Sequence, residues 1–152
     1  MIPVLVDSNV IVDFLAERAG FYEEARKLLV FSEFGDYELW MSSSQITDVH
    51  YILSNGGRRS ELPAARAALQ GIRRFVRVCS PGEREVDLAL DSTWEDFEDA
   101  LVYQAAVSIG ARAIVTRNER DFSLSSIPAL SPTAFFPWFE HRYGRYYEEL
   151  PF

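Results

Sequence analysis

Cysteine is almost missing from this chain: Cys79 stands alone among 152 residues. One cysteine excludes an internal disulfide and a cysteine-cluster zinc site, and it agrees with a reducing cytoplasm. Histidine is nearly as scarce. His50 and His141 are the only two, and neither belongs to an H-E-x-x-H pattern, which argues against histidine-based zinc hydrolysis. No Gly-rich phosphate loop occurs, and no D-x-D follows the first apolar run. The uncharged stretch 100–111 is 12 residues long, too short to cross a bilayer, so no membrane partner is expected. No basic leader precedes the first apolar segment, because Met1-Ile2-Pro3 runs straight into it. Positive charge is also lacking overall. The net charge of -8 argues against a broadly basic nucleic-acid platform.

What basic charge there is comes from 14 arginines against one lysine. Several are grouped, as in Arg58/Arg59, Arg73/Arg74/Arg77 and Arg112/Arg117/Arg120. Arginine favours bidentate phosphate contacts wherever such a face is used. Apolar residues make up 48% of the chain, enough for one domain with a real core at 17.4 kDa.

Periodicity predicts strands at 2–6, 37–41, 75–78 and 113–116, with a short fifth at 129–130. Helical patterns lie between them, from Asn9, at 22–34, after Ser42-Ser43-Ser44, at 60–73, at 81–90 and at 96–109, with another after Ser131-Pro132-Thr133. Ser80-Pro81-Gly82-Glu83 reads as a capping box with Pro81 at the first helical position, opening a helix that runs to about Leu90. Strands alternating with helices imply an α/β fold: three layers, α/β/α, around a mainly parallel sheet of about four or five strands.

The most informative residues are acids placed where a strand stops or a helix starts. Asp7 ends the apolar run Val4-Leu5-Val6; Asp48 follows the second strand; Asp96 and Asp99 open the helix Asp96-Phe97-Glu98-Asp99-Ala100-Leu101. Asp121 follows the fourth strand in Thr116-Arg117-Asn118-Glu119-Arg120-Asp121-Phe122. Loops after parallel strands converge at one sheet edge, where ligands bind near a switch in strand order. A capping role is the plain alternative for Asp7, although Ser8 or Asn9 could serve that end equally well. The helix dipole offers a structural reason for Asp96. Asp99 begins an apolar stripe, and an acid there needs a partner. Two carboxylates about 5 Å apart repel by roughly 3 kcal/mol at an effective dielectric near 20. Four converging acids must therefore hold a cation or partly protonate, and all-oxygen ligation suits Mg²⁺ or Mn²⁺.

At these residues the chain resembles the PIN-domain ribonucleases, particularly the VapC-like toxins of toxin–antitoxin pairs. The resemblance rests on Asp7-Ser8-Asn9-Val10, Asp96-Phe97-Glu98-Asp99-Ala100-Leu101, and Val115-Thr116-Arg117-Asn118-Glu119-Arg120-Asp121-Phe122, in the family's order. It implies a PIN-like domain over residues 1–142, with an aromatic tail at 143–152 beyond the family's usual end. It further implies a Mg²⁺-dependent endoribonuclease, the toxin of a type II toxin–antitoxin system. Asp7, Asp48, Asp99 and Asp121 would be catalytic, and Asp7, Asp96, Asp99 and Asp121 would hold one or two Mg²⁺ or Mn²⁺ ions. Asn9, Asp96, Thr116 and Asn118 would support them. RNA is the implied substrate, and a cognate antitoxin and a second copy in a homodimer the implied partners. Two departures stand out: Asp48 replaces the family's usual glutamate, and Asn118 replaces the aspartate of a T-x-D motif. The alternative reading is therefore a catalytically weakened PIN-like module for protein interaction.

Eight of the last 18 residues are aromatic, from Phe135 through Phe152. The first four are expected to pack on the sheet, and Tyr143 onward to join a dimer or antitoxin interface.

Overall fold

The computed structural model describes residues 1–147. Its elements follow the expected alternation. β1 (Ile2–Val6) leads to α1 (Ser8–Leu15) and α2 (Tyr22–Ser32); β2 (Tyr37–Ser42) leads to α3 (Ser43–Leu53), a 3-10 turn at Arg59–Glu61 and α4 (Leu62–Ile72). β3 (Val76–Cys79) precedes α5 (Glu83–Asp91) and α6 (Phe97–Ser108). β4 (Ala113–Val115), a 3-10 turn at Glu119–Phe122, β5 (Ala129–Leu130) and α7 (Pro132–Tyr143) complete the described chain.

The five strands form one sheet in the order β3-β2-β1-β4-β5, and every pairing is parallel. Parallel strands need crossover helices, and those helices cover both faces, which explains why β1 and β4 are apolar almost throughout. Side chains alternate across the sheet. Val4, Val6 and Val115 enter a core with Val10, Leu28, Leu29, Val49, Ile72, Phe135 and Phe139, from α1, α2, α3, α4 and α7. Leu5 and Ile114 face the other way, against Val102, Ala105 and Ala106 of α6. α5 packs in turn on α6. The result is the three-layer α/β/α arrangement. Each fully buried aliphatic side chain in these cores contributes about 1.5–3 kcal/mol.

Three local expectations change. Asp7 itself, rather than Ser8 or Asn9, caps α1, its carboxylate accepting the Ser8 N–H at 2.8 Å. α5 starts from Gly82 instead of a Ser80–Glu83 box; the Glu85 carboxylate accepts the Gly82 N–H at 2.9 Å. Pro81 and Gly82 precede the helix, and the acid at its third position satisfies the Gly82 N–H. The helix expected over 60–73 opens as the 3-10 turn, with Pro63 at the start of α4 where a missing N–H costs nothing.

Strand order reverses at β1, which pairs with β2 on one side and with β4 on the other. The crevice between β1 and β4 is thus the switch point, the place where an open parallel sheet offers a ligand site.

Candidate metal centre at the sheet edge

β1 and β4 end in register, with Val6 opposite Val115 and the Asp7 N–H donating to the Val115 carbonyl at 2.8 Å. That pairing brings Asp7 beside Thr116 although they are 109 residues apart in sequence. The buried Thr116 hydroxyl donates to Asp7 Oδ2 at 2.8 Å while the Ser8 N–H holds Oδ1. The same hydroxyl oxygen accepts the Asn118 N–H at 3.0 Å and the Asn9 side-chain amide at 3.5 Å. Asn9 Oδ1 in turn accepts the Arg117 N–H at 3.3 Å. Asn9, Thr116 and Asn118 therefore form one network that orients the Asp7 carboxylate.

α3 begins behind this network. Ser42 caps it, and Gln45 Oε1 accepts the Ser42 N–H at 2.8 Å, completing a capping box. The buried Gln45 amide also donates to the Val6 carbonyl at 3.0 Å and to Ser8 Oγ at 3.3 Å. One side chain so ties the helix carrying Asp48 to the strand end carrying Asp7. α6 starts at its own acid: Asp96 is the cap, accepting the Asp99 N–H at 3.0 Å.

A cleft of about 390 Å³ opens at this edge, and Asp7, Asp48, Asp99 and Asp121 all line it, with Asn9 and Asn118. They arrive from the ends of β1 and β4 and from α3 and α6, so the fold brings to one cleft four of the five acids singled out in the sequence. Asp96 is set apart. It lines a neighbouring cleft with Trp94 and Arg120, joined to the first through the shared walls Asp99 and Asp121. Glu98, Gln45, Ser8, Arg18 and Tyr51 also line the main cleft and had not been picked out from the sequence. Glu98 sat inside the quoted motif, and Gln45 three residues after Ser42 was a visible capping signal; Arg18 and Tyr51 carried none.

Among the described residues no arginine or lysine forms an ion pair with Asp7, Asp48, Asp99 or Asp121. The electrostatic consequences are direct. Burial pushes the Asp7 carboxyl up, against the hydrogen bonds from Thr116 and Ser8 that pull it down, with the Asp121 charge adding to the rise. Burial raises Asp48 as well. Asp99 is pushed up to about 7, by burial first and then by the charges of Asp96, Asp7, Asp121 and Glu98. Acids that repel one another without a basic partner form an oxygen-rich donor set suited to a hard divalent cation. Among the described residues, no three such side chains yet converge closely enough to chelate an ion as they stand.

The sheet order, the switch-point cleft and its acids define a known class, and comparison agrees: the PIN domain family model matches residues 3–120, so the chain belongs to the PIN domain family. Among individual proteins, it is 29% identical to Ribonuclease VapC1 of Aquifex aeolicus over 140 residues, covering 87% of this chain and 92% of that one. Its fold is similar to VapBC2 from Rickettsia felis bound to a DNA fragment from their promoter, with a TM-score of 0.65, 14% identity, and 86% and 98% of the two chains covered. A toxin–antitoxin complex from Klebsiella pneumoniae gives a TM-score of 0.60 at 19% identity over 85% and 97%. No helix among the described residues is long and apolar enough to cross a membrane.

Proposed function

We propose that this chain is a divalent-metal-dependent endoribonuclease and the toxin of a type II toxin–antitoxin pair, working in the cytoplasm. One observation carries the reading: Asp7, Asp48, Asp99 and Asp121, from four elements, line a single cleft at the switch point of the sheet. Membership of the PIN domain family and similarity to a protein named as a ribonuclease support it. The likeness to toxin–antitoxin complexes supports a cognate antitoxin as partner, and a homodimer is part of the same proposal.

Asp7, Asp99 and Asp121 would hold one or two Mg²⁺ or Mn²⁺ ions, with Asp96 reaching them from the neighbouring cleft across the shared walls Asp99 and Asp121; such a cation, when bound, neutralises a phosphoryl oxygen and acidifies water. Thr116 and Ser8 fix both oxygens of Asp7 in place before any ligand arrives. Asp48, which lines the same cleft from α3, would complete the acidic set, and burial raises its carboxyl above the ordinary value. Asn118 offers an amide where the family has an acid and so lowers the charge of the set by one.

Incubation of the purified chain with RNA should give cleavage with Mg²⁺ or Mn²⁺ and none with a chelator. Asp7→Asn and Asp99→Asn should each abolish cleavage. Asn at position 7 can still accept from Ser8, so stability should change by only about 1 kcal/mol. Equal cleavage by either variant rejects these assignments. The rival module reading draws on Asp48, on Asn118 and on the open spacing of the acids. It requires that calorimetry find no specific Mn²⁺ site.

A further inference from the structure

We propose that Arg18 is the residue that meets an RNA phosphate at the mouth of the acid cleft, and that buried Asp13 positions it for that contact. The assignment rests on the ribonuclease reading and names a substrate contact within it. An RNA backbone approaching this cleft faces Asp7, Asp48, Glu98, Asp99 and Asp121, and Arg18 is the single basic residue among those lining it.

The charge arithmetic at Asp13 shows why this arginine is available. Asp13 lies on α1 and is only 1% exposed. Its Oδ2 meets Arg117 Nε at 2.8 Å, and its Oδ1 meets Arg18 Nη1 at 3.6 Å. Two guanidinium groups share one carboxylate, so the trio carries a net charge of about +1. Arg117 makes the closer pair and is packed over the Phe21 ring at 4.1 Å. Arg18 is the looser partner and keeps 42% of its side chain exposed. The surplus positive charge therefore emerges at the cleft, on the group with free donors.

Backbone geometry holds Arg18 there. α1 ends with the Glu17 N–H donating to the Phe14 carbonyl and the Arg18 N–H donating to the Asp13 carbonyl at 3.0 Å. This is the paired helix-ending motif that usually takes glycine at its left-handed position. Glu17 occupies that position with φ 49°, a conformation costly for a residue with a Cβ. The turn folds the chain back so that main chain and side chain of Arg18 both meet Asp13. α1 also grips the opposite wall. Asn9, one helical turn before Asp13, accepts the Arg117 N–H, while Asp13 takes the Arg117 side chain. Buried ion pairs add little net stability because desolvation offsets attraction, so the arrangement is better accounted for by where it puts charge.

The test uses a fluorescent single-stranded RNA oligonucleotide and the full chain carrying Asp7→Asn, which is expected to bind without cutting. Binding is measured by anisotropy over a range of salt, with and without Arg18→Gln. Loss of one phosphate contact should reduce the slope of log K against log salt by about 0.7. Affinity at low salt should fall about tenfold, and Arg18→Lys should recover part of both. In the cleaving protein, Arg18→Gln should raise KM, while Mn²⁺ affinity by calorimetry stays level or tightens. RNA binding with unchanged slope and affinity in Arg18→Gln overturns this assignment and leaves the ribonuclease reading standing. Absence of RNA binding by the parent, with Arg18 intact, overturns both.

Discussion

Asp99 shows how a single residue can report on the site. Its carboxyl is raised to about 7, so the fold binds that proton more tightly than the unfolded chain does. The resulting stabilisation is fully present below the ordinary value of 3.8 and is lost as pH climbs through about 7. Asp7 and Asp48 shift in the same direction and deepen the decline. Asp99→Asn removes one of these contributors. In the presence of a chelator, its melting temperature should rise relative to the parent as pH goes from 5 to 8, and with Mg²⁺ supplied instead its cleavage should disappear. Parallel melting curves across that range would show that Asp99 ionises freely and does not face the other acids. A cation reverses the sign, since it binds the ionised form; activity should therefore climb with pH through the same window.

At the scale of elements, Gln45 is the joint. It bonds to its own helix cap at Ser42 and to the end of β1 at Val6 and Ser8. Gln45→Ala leaves the Ser42 N–H and the Val6 carbonyl buried without partners, which should cost about 2–3 kcal/mol in urea unfolding. A loss below about 0.5 kcal/mol would mean that water replaces the amide. The two halves of this joint differ in legibility. Ser42 with Gln45 three residues later is a local signal, as are Asp7 at the end of an apolar run and Gly110 after α6. The bond to Val6 spans 39 residues and depends on β1 and β2 being neighbours, which no local pattern states. The start of α5 differs from the expected one for a related reason: Ser80 and Gly82 both satisfy simple capping rules, and the path of the preceding chain decides between them. Beyond α7 the chain keeps packing after the helix has ended at Tyr143. Tyr147 stacks on Phe31 at 5.2 Å and its hydroxyl donates to Asp36 at 2.8 Å, so this part of the aromatic tail lies against the core. Tyr146 remains exposed, and the part of the interface expectation that falls on residues 148–152 lies outside the described residues. Whether residues 143–152 also meet a partner is open to direct test. Their deletion should lower stability through loss of the Tyr147 contacts, and should change oligomeric mass only if the tail bridges two copies.

For the whole molecule, the decisive fact is that a parallel sheet gathers what the chain keeps apart. Strand runs ending in acids are legible in the sequence, and the rule for parallel sheets alone puts Asp7 and Asp121 at one edge. The Asp13–Arg117–Arg18 trio was not readable, because an acid inside a helical run and two scattered arginines carry no mark of burial. This contrast leads to a global measurement. If the four acids are a cation site, the cation-free fold carries their repulsion and the loaded fold does not. A ligand at 100 times its Kd stabilises by about 2.7 kcal/mol. For a chain of this size each kcal/mol moves the midpoint by about 2–4 °C. Saturating Mg²⁺ or Mn²⁺ should then raise the melting temperature by about 5–10 °C. The shift should vanish in Asp99→Asn and survive in Arg18→Gln, since one removes a donor and the other only a neighbouring charge. Equal shifts in the parent and in Asp99→Asn would place the ion elsewhere on this acidic surface. The carboxylates of the cleft would then be left repelling one another with no cation to relieve them.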